Sequence, residues 1–131
     1  MFTFKKKPPQ SLHIKERLLQ ALERNDPDTS VAVFDSCPMY PEDIQRLNTI
    51  LHYNTNLRVL KLLDCSLTLN DTRKILLSTL KNNTLEELNI EIFNSDDDSL
   101  KMLLKNVAEH LQKNMEAHKS LTNSITDGFS I

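Results

Sequence analysis

Cys37 and Cys65 are the two cysteines of the chain, and they stand 28 residues apart. Two thiols can close to a disulfide when their Cα atoms lie within about 7 Å, and they can hold zinc when two further ligands follow at suitable spacing. No such ligands are evident here. A pair of cysteines also makes no disulfide framework. Buried thiols that pack as small hydrophobes are the favoured reading, with a disulfide left open. The four histidines are scattered at His13, His52, His110 and His118, so no Cys–His or Ser–His–Asp arrangement follows from their spacing. Gly128 is the single glycine, which rules out a glycine-rich phosphate loop. The run Ser95-Asp96-Asp97-Asp98 offers three carboxylates, but the glycine and closing glutamate of a calcium loop are absent. Acids at the start of a helix are the preferred reading. No enzyme, metal or cofactor is expected.

The same 28-residue interval organises the positions around the cysteines. From Leu57 the chain reads LRVLKLLDCSL, and from Leu85 it reads LEELNIEIF. Stepping back from the first of these, Leu60 maps to Ala32, Leu62 to Phe34, Cys65 to Cys37 and Leu67 to Met39. A fixed period of this length signals a solenoid, in which each unit buries its apolar side against its neighbours. Short strands are expected at Val31–Phe34, Val59–Leu62 and Glu87–Ile90, where β-branched, aromatic and aliphatic residues concentrate. Helices follow each strand. Pro41-Glu42-Asp43 suits a first turn, and Thr68-x-x-Asp71 reads as a capping box. A further helix is expected from Ser11 to about Asn25, with Ile14, Leu18, Leu19 and Leu22 at helical spacing. Asn54-Thr55-Asn56 and Asn82-Asn83-Thr84 repeat as closing turns. With so little glycine, the folded turns fall to Asn, Asp and Pro, with Asn favoured wherever φ is positive.

The pattern L-x-x-L-x-L-x-x-C-x-L resembles the ribonuclease-inhibitor class of leucine-rich repeats. That resemblance covers about residues 29–113, and its best unit is 57–84. It implies an α/β fold: a short right-handed leucine-rich-repeat solenoid of about three strand–helix repeats with parallel strands, plus an N-terminal capping helix. The domain plan is a flexible basic arm at 1–10, a capping helix at 11–26, repeats at 29–56, 57–84 and 85–116, and a disordered polar tail at 117–131. Repeat one is degenerate at Thr29, Ala32 and Phe34, and repeat three carries Phe93 and Ser95 where Cys and Leu are usual. The chain also resembles small bacterial leucine-rich-repeat proteins, including effectors of intracellular pathogens. That second likeness implies a host protein as partner and a translocation tail ending near Phe129 and Ile131.

In this fold, strand alternation sends Ala32, Phe34, Leu60, Leu62, Leu88 and Ile90 inward and the intervening residues to the concave face. The resemblance implies partner binding there. The candidate surface is Val31, Val33, Asp35 and Ser36 from the first unit, Val59, Lys61, Leu63 and Asp64 from the second, and Glu87, Asn89, Glu91 and Ile92 from the third. Apolar residues rimmed by acids suit a protein partner with a basic surface. A homodimer that buries the same face or an open end is the alternative.

Charge narrows the partner further. The formal net charge of the 131 residues is −2. Lys5, Lys6 and Lys7 add three positive charges at the N-terminus and residues 117–131 are neutral, so the middle carries −5. That disfavours nucleic acid, whose binding needs clustered cations. Three lysines are too few for a lipid patch, and no run approaches the 18 apolar residues of a membrane span. No apolar segment follows the N-terminal lysines as a signal peptide requires. A cytoplasmic protein is expected, or one translocated into a host cell if it is an effector.

Overall fold

A computed structural model describes residues 12–91 and 97–129, with side chains through residue 120. Four helices and a three-stranded parallel sheet alternate along it: α1 (Leu12–Glu23), β1 (Val31–Asp35), α2 (Pro41–Tyr53), β2 (Val59–Leu63), α3 (Leu69–Thr79), β3 (Glu87–Ile90) and α4 (Asp98–Phe129). The expected basic arm at 1–10, and Ile92, Phe93 and Ser95, lie outside the described residues.

The strands lie in the order β1-β2-β3. Val31 pairs with Val59 and Val59 with Glu87, so each step across the sheet is one 28-residue interval. Parallel pairing needs a crossover between strands, which α2 and α3 supply. Alternation along β1 and β2 puts Ala32, Phe34, Leu60 and Leu62 fully inside. They pack with Leu47, Ile50 and Leu51 of α2 and Ile75 of α3 in one apolar layer. Burying each of these Leu, Ile or Phe side chains contributes about 1.5–3 kcal/mol. A smaller cluster of Leu76, Leu100 and Val107 joins α3 to α4, with Leu88 and Ile90 of β3 only partly covered.

Local hydrogen bonds fix the helix ends. Thr68 Oγ1 accepts the Asp71 N–H at 3.0 Å while Asp71 Oδ2 accepts the Thr68 N–H at 3.2 Å, the reciprocal capping box. In α2 the Asp43 carboxylate accepts the Tyr40 N–H at 3.0 Å behind Pro41. Asp97 accepts the N–H groups of Ser99 and Leu100 and so starts α4, which makes this part of the acidic run a helix start. The end of α1 is closed by Asn25 at φ 52°, with Asp26 N–H on Ala21 O and Asn25 N–H on Leu22 O. Asn takes the place glycine usually holds in this motif. Among the described residues the other positive-φ positions are Ser36, Asp64 and Ser66, so Ser and Asp share the role expected chiefly of Asn.

An asparagine ladder ties the units together where each helix returns to its strand. Asn54 Oδ1 accepts the N–H groups of Asn56 and Leu57, and its Nδ2 donates to Leu22 O. Asn82, one interval on, accepts from Thr84 and Leu85 and donates to Leu51 O and Asn54 O. Asn114 of α4 continues the ladder by donating to Asn82 O and Leu85 O. Asn54 and Asn82 each satisfy backbone groups of their own turn and of the preceding unit, and Asn114 satisfies carbonyls of the turn before it, as buried polar groups require.

One expectation needs correction, and one element extends further than its composition suggests. Ile14 does not face the core: it is 49% exposed, and Lys15 takes the inward position with Leu19 and Leu22. The helix α4 runs on to Phe129, through residues for which composition gives the expectation of a disordered polar tail. Extending a helix that packing has already nucleated is cooperative, and Ser, Thr and Asn lower its stability by at most about 0.7 kcal/mol each.

Candidate functional site

The strand face turned away from the helices is built by the same alternation that fills the core. Its rows follow the sheet register: Val31, Val59 and Glu87, then Val33, Lys61 and Asn89, then Asp35 and Leu63. Val31 is 53% exposed. Glu87 and Asn89 are exposed too, whereas Val33, Asp35, Val59, Lys61 and Leu63 are half-buried by their neighbours. Ser36 and Asp64 leave the first two strands in the left-handed region, with φ of 55° and 50°. That bend turns the chain toward the helices at equivalent points of the two units. Ser36 N–H donates to Leu63 O at 2.9 Å and its hydroxyl donates to Asp35 Oδ1 at 3.0 Å, so this rim is hydrogen-bonded across units. Asp64 and Glu91 line a small hollow of about 170 Å³ beyond the rim, over Leu62 and Cys65.

The structure thus brings eleven of the twelve sequence-derived face residues onto one side of the sheet or its rim, and Ile92 lies outside the described residues. Their chemistry is mixed. Val31, Val33, Val59 and Leu63 concentrate over β1 and β2, while Asp35, Asp64, Glu87 and Glu91 are distributed around Lys61. Such a surface can exclude water from an apolar centre and attract cations at its rim.

Cys37 and Cys65 are buried thiols with no disulfide between them. Cys65 Sγ contacts Phe34 O at 3.3 Å and Leu63 O at 3.4 Å. Burial pushes the Cys37 thiol up from its ordinary value and the Cys65 thiol up to about 12. The histidines are not brought together. His13, His52 and His118 are exposed, and His110 Nε2 hydrogen-bonds the Asn82 carbonyl. Among the described residues no group of three or more His, Cys, Asp or Glu could hold a metal ion. None of their helices is long and apolar enough to cross a membrane.

Sequence reasoning missed the polar joint between α1 and α2. Lys15, 5% exposed, donates to Asp43 Oδ2 at 2.7 Å and to Pro38 O at 3.1 Å, and lies 4.8 Å from the centre of the Tyr40 ring. Arg46 of α2 bridges Glu16, at 2.7 Å, and Glu23 of α1. The Arg46 hydrogen bond holds the Glu16 carboxyl below the usual glutamate range. The available signal was charge spacing, because Lys15 precedes Asp43 by the same 28 residues. A second hollow, of about 540 Å³, runs between α2 and α3 past Asn48, His52, Asp71 and Lys74. Nothing in the sequence pattern singles it out.

No protein-family model matches the chain, and no curated protein matches it either. Among solved structures the chain is similar to leiomodin-1 actin-binding site 2, with a TM-score of 0.56 and 12% identity. The match covers 92% of this chain and 99% of that one. At that identity the likeness concerns the fold alone: a mixed α/β arrangement of four helices with a three-stranded parallel sheet.

Proposed function

We propose that this chain is a short leucine-rich-repeat module of the ribonuclease-inhibitor class, and that it binds a protein partner through its open strand face. The observation that carries the reading is the strand register. It leaves Val31, Val33, Val59 and Leu63 outside the core, side by side, among Asp64, Glu87 and Glu91. The 28-residue steps and the asparagine ladder support the repeat assignment. A structural neighbour described as an actin-binding site supports protein binding as a use of this architecture, and purified actin is a defined first probe. The module acts by binding and carries out no catalysis.

The test is affinity capture with the full chain and with the double variant Leu63→Asp, Glu87→Arg. The expected result is a partner recovered by the parent and lost by the variant, with unchanged circular dichroism. Equal recovery by both folded proteins would remove the face from the account. Self-association is a second reading, favoured by the incomplete cover over Leu88, Ile90, Leu103 and Leu104 at the β3 end of the apolar layer. Sedimentation at several concentrations separates the two: a tight dimer that persists in the Leu63→Asp, Glu87→Arg variant points to that end.

A further inference from the structure

Cys37 and Cys65 each follow their strand by two residues, at equivalent points of the first two units. The backbone on either side keeps those units paired. Ser36 N–H donates to Leu63 O at 2.9 Å, and Met39 N–H donates to Cys65 O at 3.0 Å. Two inter-unit hydrogen bonds, one of them on the Cys65 carbonyl, thus hold the two backbones side by side at the cysteines, just beyond strands that lie about 4.8 Å apart in a sheet. A disulfide takes Cα separations of about 4.4–6.8 Å. The two thiols are also near enough for each to influence the ionisation of the other.

We infer that Cys37 and Cys65 are a dithiol that closes to a disulfide across the first two strand–helix units, by exchange with a low-molecular-weight disulfide and without displacing either unit. In the first step one cysteine, having given its proton to solvent, attacks a sulfur of the small disulfide. A mixed disulfide forms, the small S–S bond breaks, and the leaving thiolate takes up a proton. The second cysteine then loses its proton and attacks the protein sulfur of the mixed disulfide, expelling the second small thiol. The protein pair gives up two electrons and two protons, and the small disulfide becomes two thiols.

Burial sets the rate. Cys37 and Cys65 are 0% and 3% exposed, so exchange waits on local opening of the rim, and thiolate is scarce near neutral pH. The same burial protects the closed bond from reductants. Closure fixes the backbone beside Asp35, Ser36, Leu63 and Asp64, which border the open strand face. It also restricts the unfolded chain, so the oxidised protein unfolds at higher temperature.

The test incubates the full chain with cystamine in native buffer, and in parallel at the urea midpoint followed by dialysis. Intact mass, a peptide map, circular dichroism and thermal melting are then recorded. The expected product is a monomer lighter by two hydrogen atoms, with a Cys37–Cys65 peptide, a native spectrum and a melting temperature raised by several degrees. Cys37→Ala and Cys65→Ala should each stop at one mixed disulfide with cysteamine and show no such rise. The inference is overturned by adducts on both sulfurs of the parent, by disulfides between chains, or by a Cys37–Cys65 bond that costs the native spectrum. Failure to form the bond in both arms overturns it too. None of these readouts involves a partner, so they stand apart from the binding proposal.

Discussion

Asn82→Ala should be among the most damaging single substitutions in this protein, although it removes only an amide. Asn82 is 2% exposed. Its Oδ1 accepts the Thr84 N–H at 2.9 Å and the Leu85 N–H at 2.6 Å, and its Nδ2 donates to Leu51 O and Asn54 O at 3.0 Å each. Asn54 O keeps the Thr84 hydroxyl, and the half-buried Thr84 N–H can reach solvent. The Leu85 N–H and Leu51 carbonyl are left to bear the loss. An orphaned buried backbone group costs about 1–3 kcal/mol, so the substitution should cost about 3 kcal/mol in total. Asn83→Ala is the control, because its exposed side chain should change stability by no more than about 0.5 kcal/mol. Asn82→Asp keeps an acceptor but loses both donors, and should cost at least as much as Asn82→Ala. The assay is urea unfolding at equilibrium, comparing midpoints at constant slope. A cost below about 1 kcal/mol for Asn82→Ala would refute the claim that the ladder joins successive units.

Three further outcomes follow from the same geometry. Lys15→Ala leaves Asp43 buried without its cation and should cost about 3 kcal/mol by urea unfolding, whereas the pair Lys15→Met, Asp43→Asn should recover most of that loss. Glu16 has its carboxyl held below the usual range by Arg46, so this contribution is present above pH 4.5 and is lost as pH falls through the lowered folded value. Arg46→Ala should therefore flatten the acid limb of a stability-versus-pH profile, and an unchanged limb would count against the bridge. Leu60→Ala, at a fully buried site in the central strand, should cost about 2–5 kcal/mol in the same unfolding assay.

The strands and helix starts were legible in the sequence because their signals are local. Period-two alternation marks Ala32, Phe34, Leu60 and Leu62 as inward, and Thr68 with Asp71 carries its own capping chemistry. The 28-residue interval then gives the sheet register, since equivalent residues of successive units pair. The inward Lys15 was legible only in its 28-residue spacing from Asp43 and not in the apolar pattern. Apolar periodicity favours Ile14, and the reason for an inward lysine is a carboxylate that only the packing of α1 on α2 brings near. The extent of α4 was not legible for a related reason: composition around Ser120, Thr122 and Asn123 speaks of low intrinsic propensity, while helix continuity is a cooperative property of the whole element. On the candidate face, sequence spacing anticipated the register that aligns Val31 with Val59 and Glu87, and Val33 with Lys61 and Asn89, yet it carried no sign of the hydrogen-bonded rim at Ser36 and Leu63.

Amide hydrogen exchange on the complex with a captured partner tests the central claim most directly. The account predicts slowed exchange confined to 31–36, 59–64 and 87–91, with the outer surfaces of α2 and α3 unchanged, and no such slowing in the Leu63→Asp, Glu87→Arg variant. Protection centred on the α2–α3 hollow at His52 and Lys74, with the strands unaffected, would contradict it.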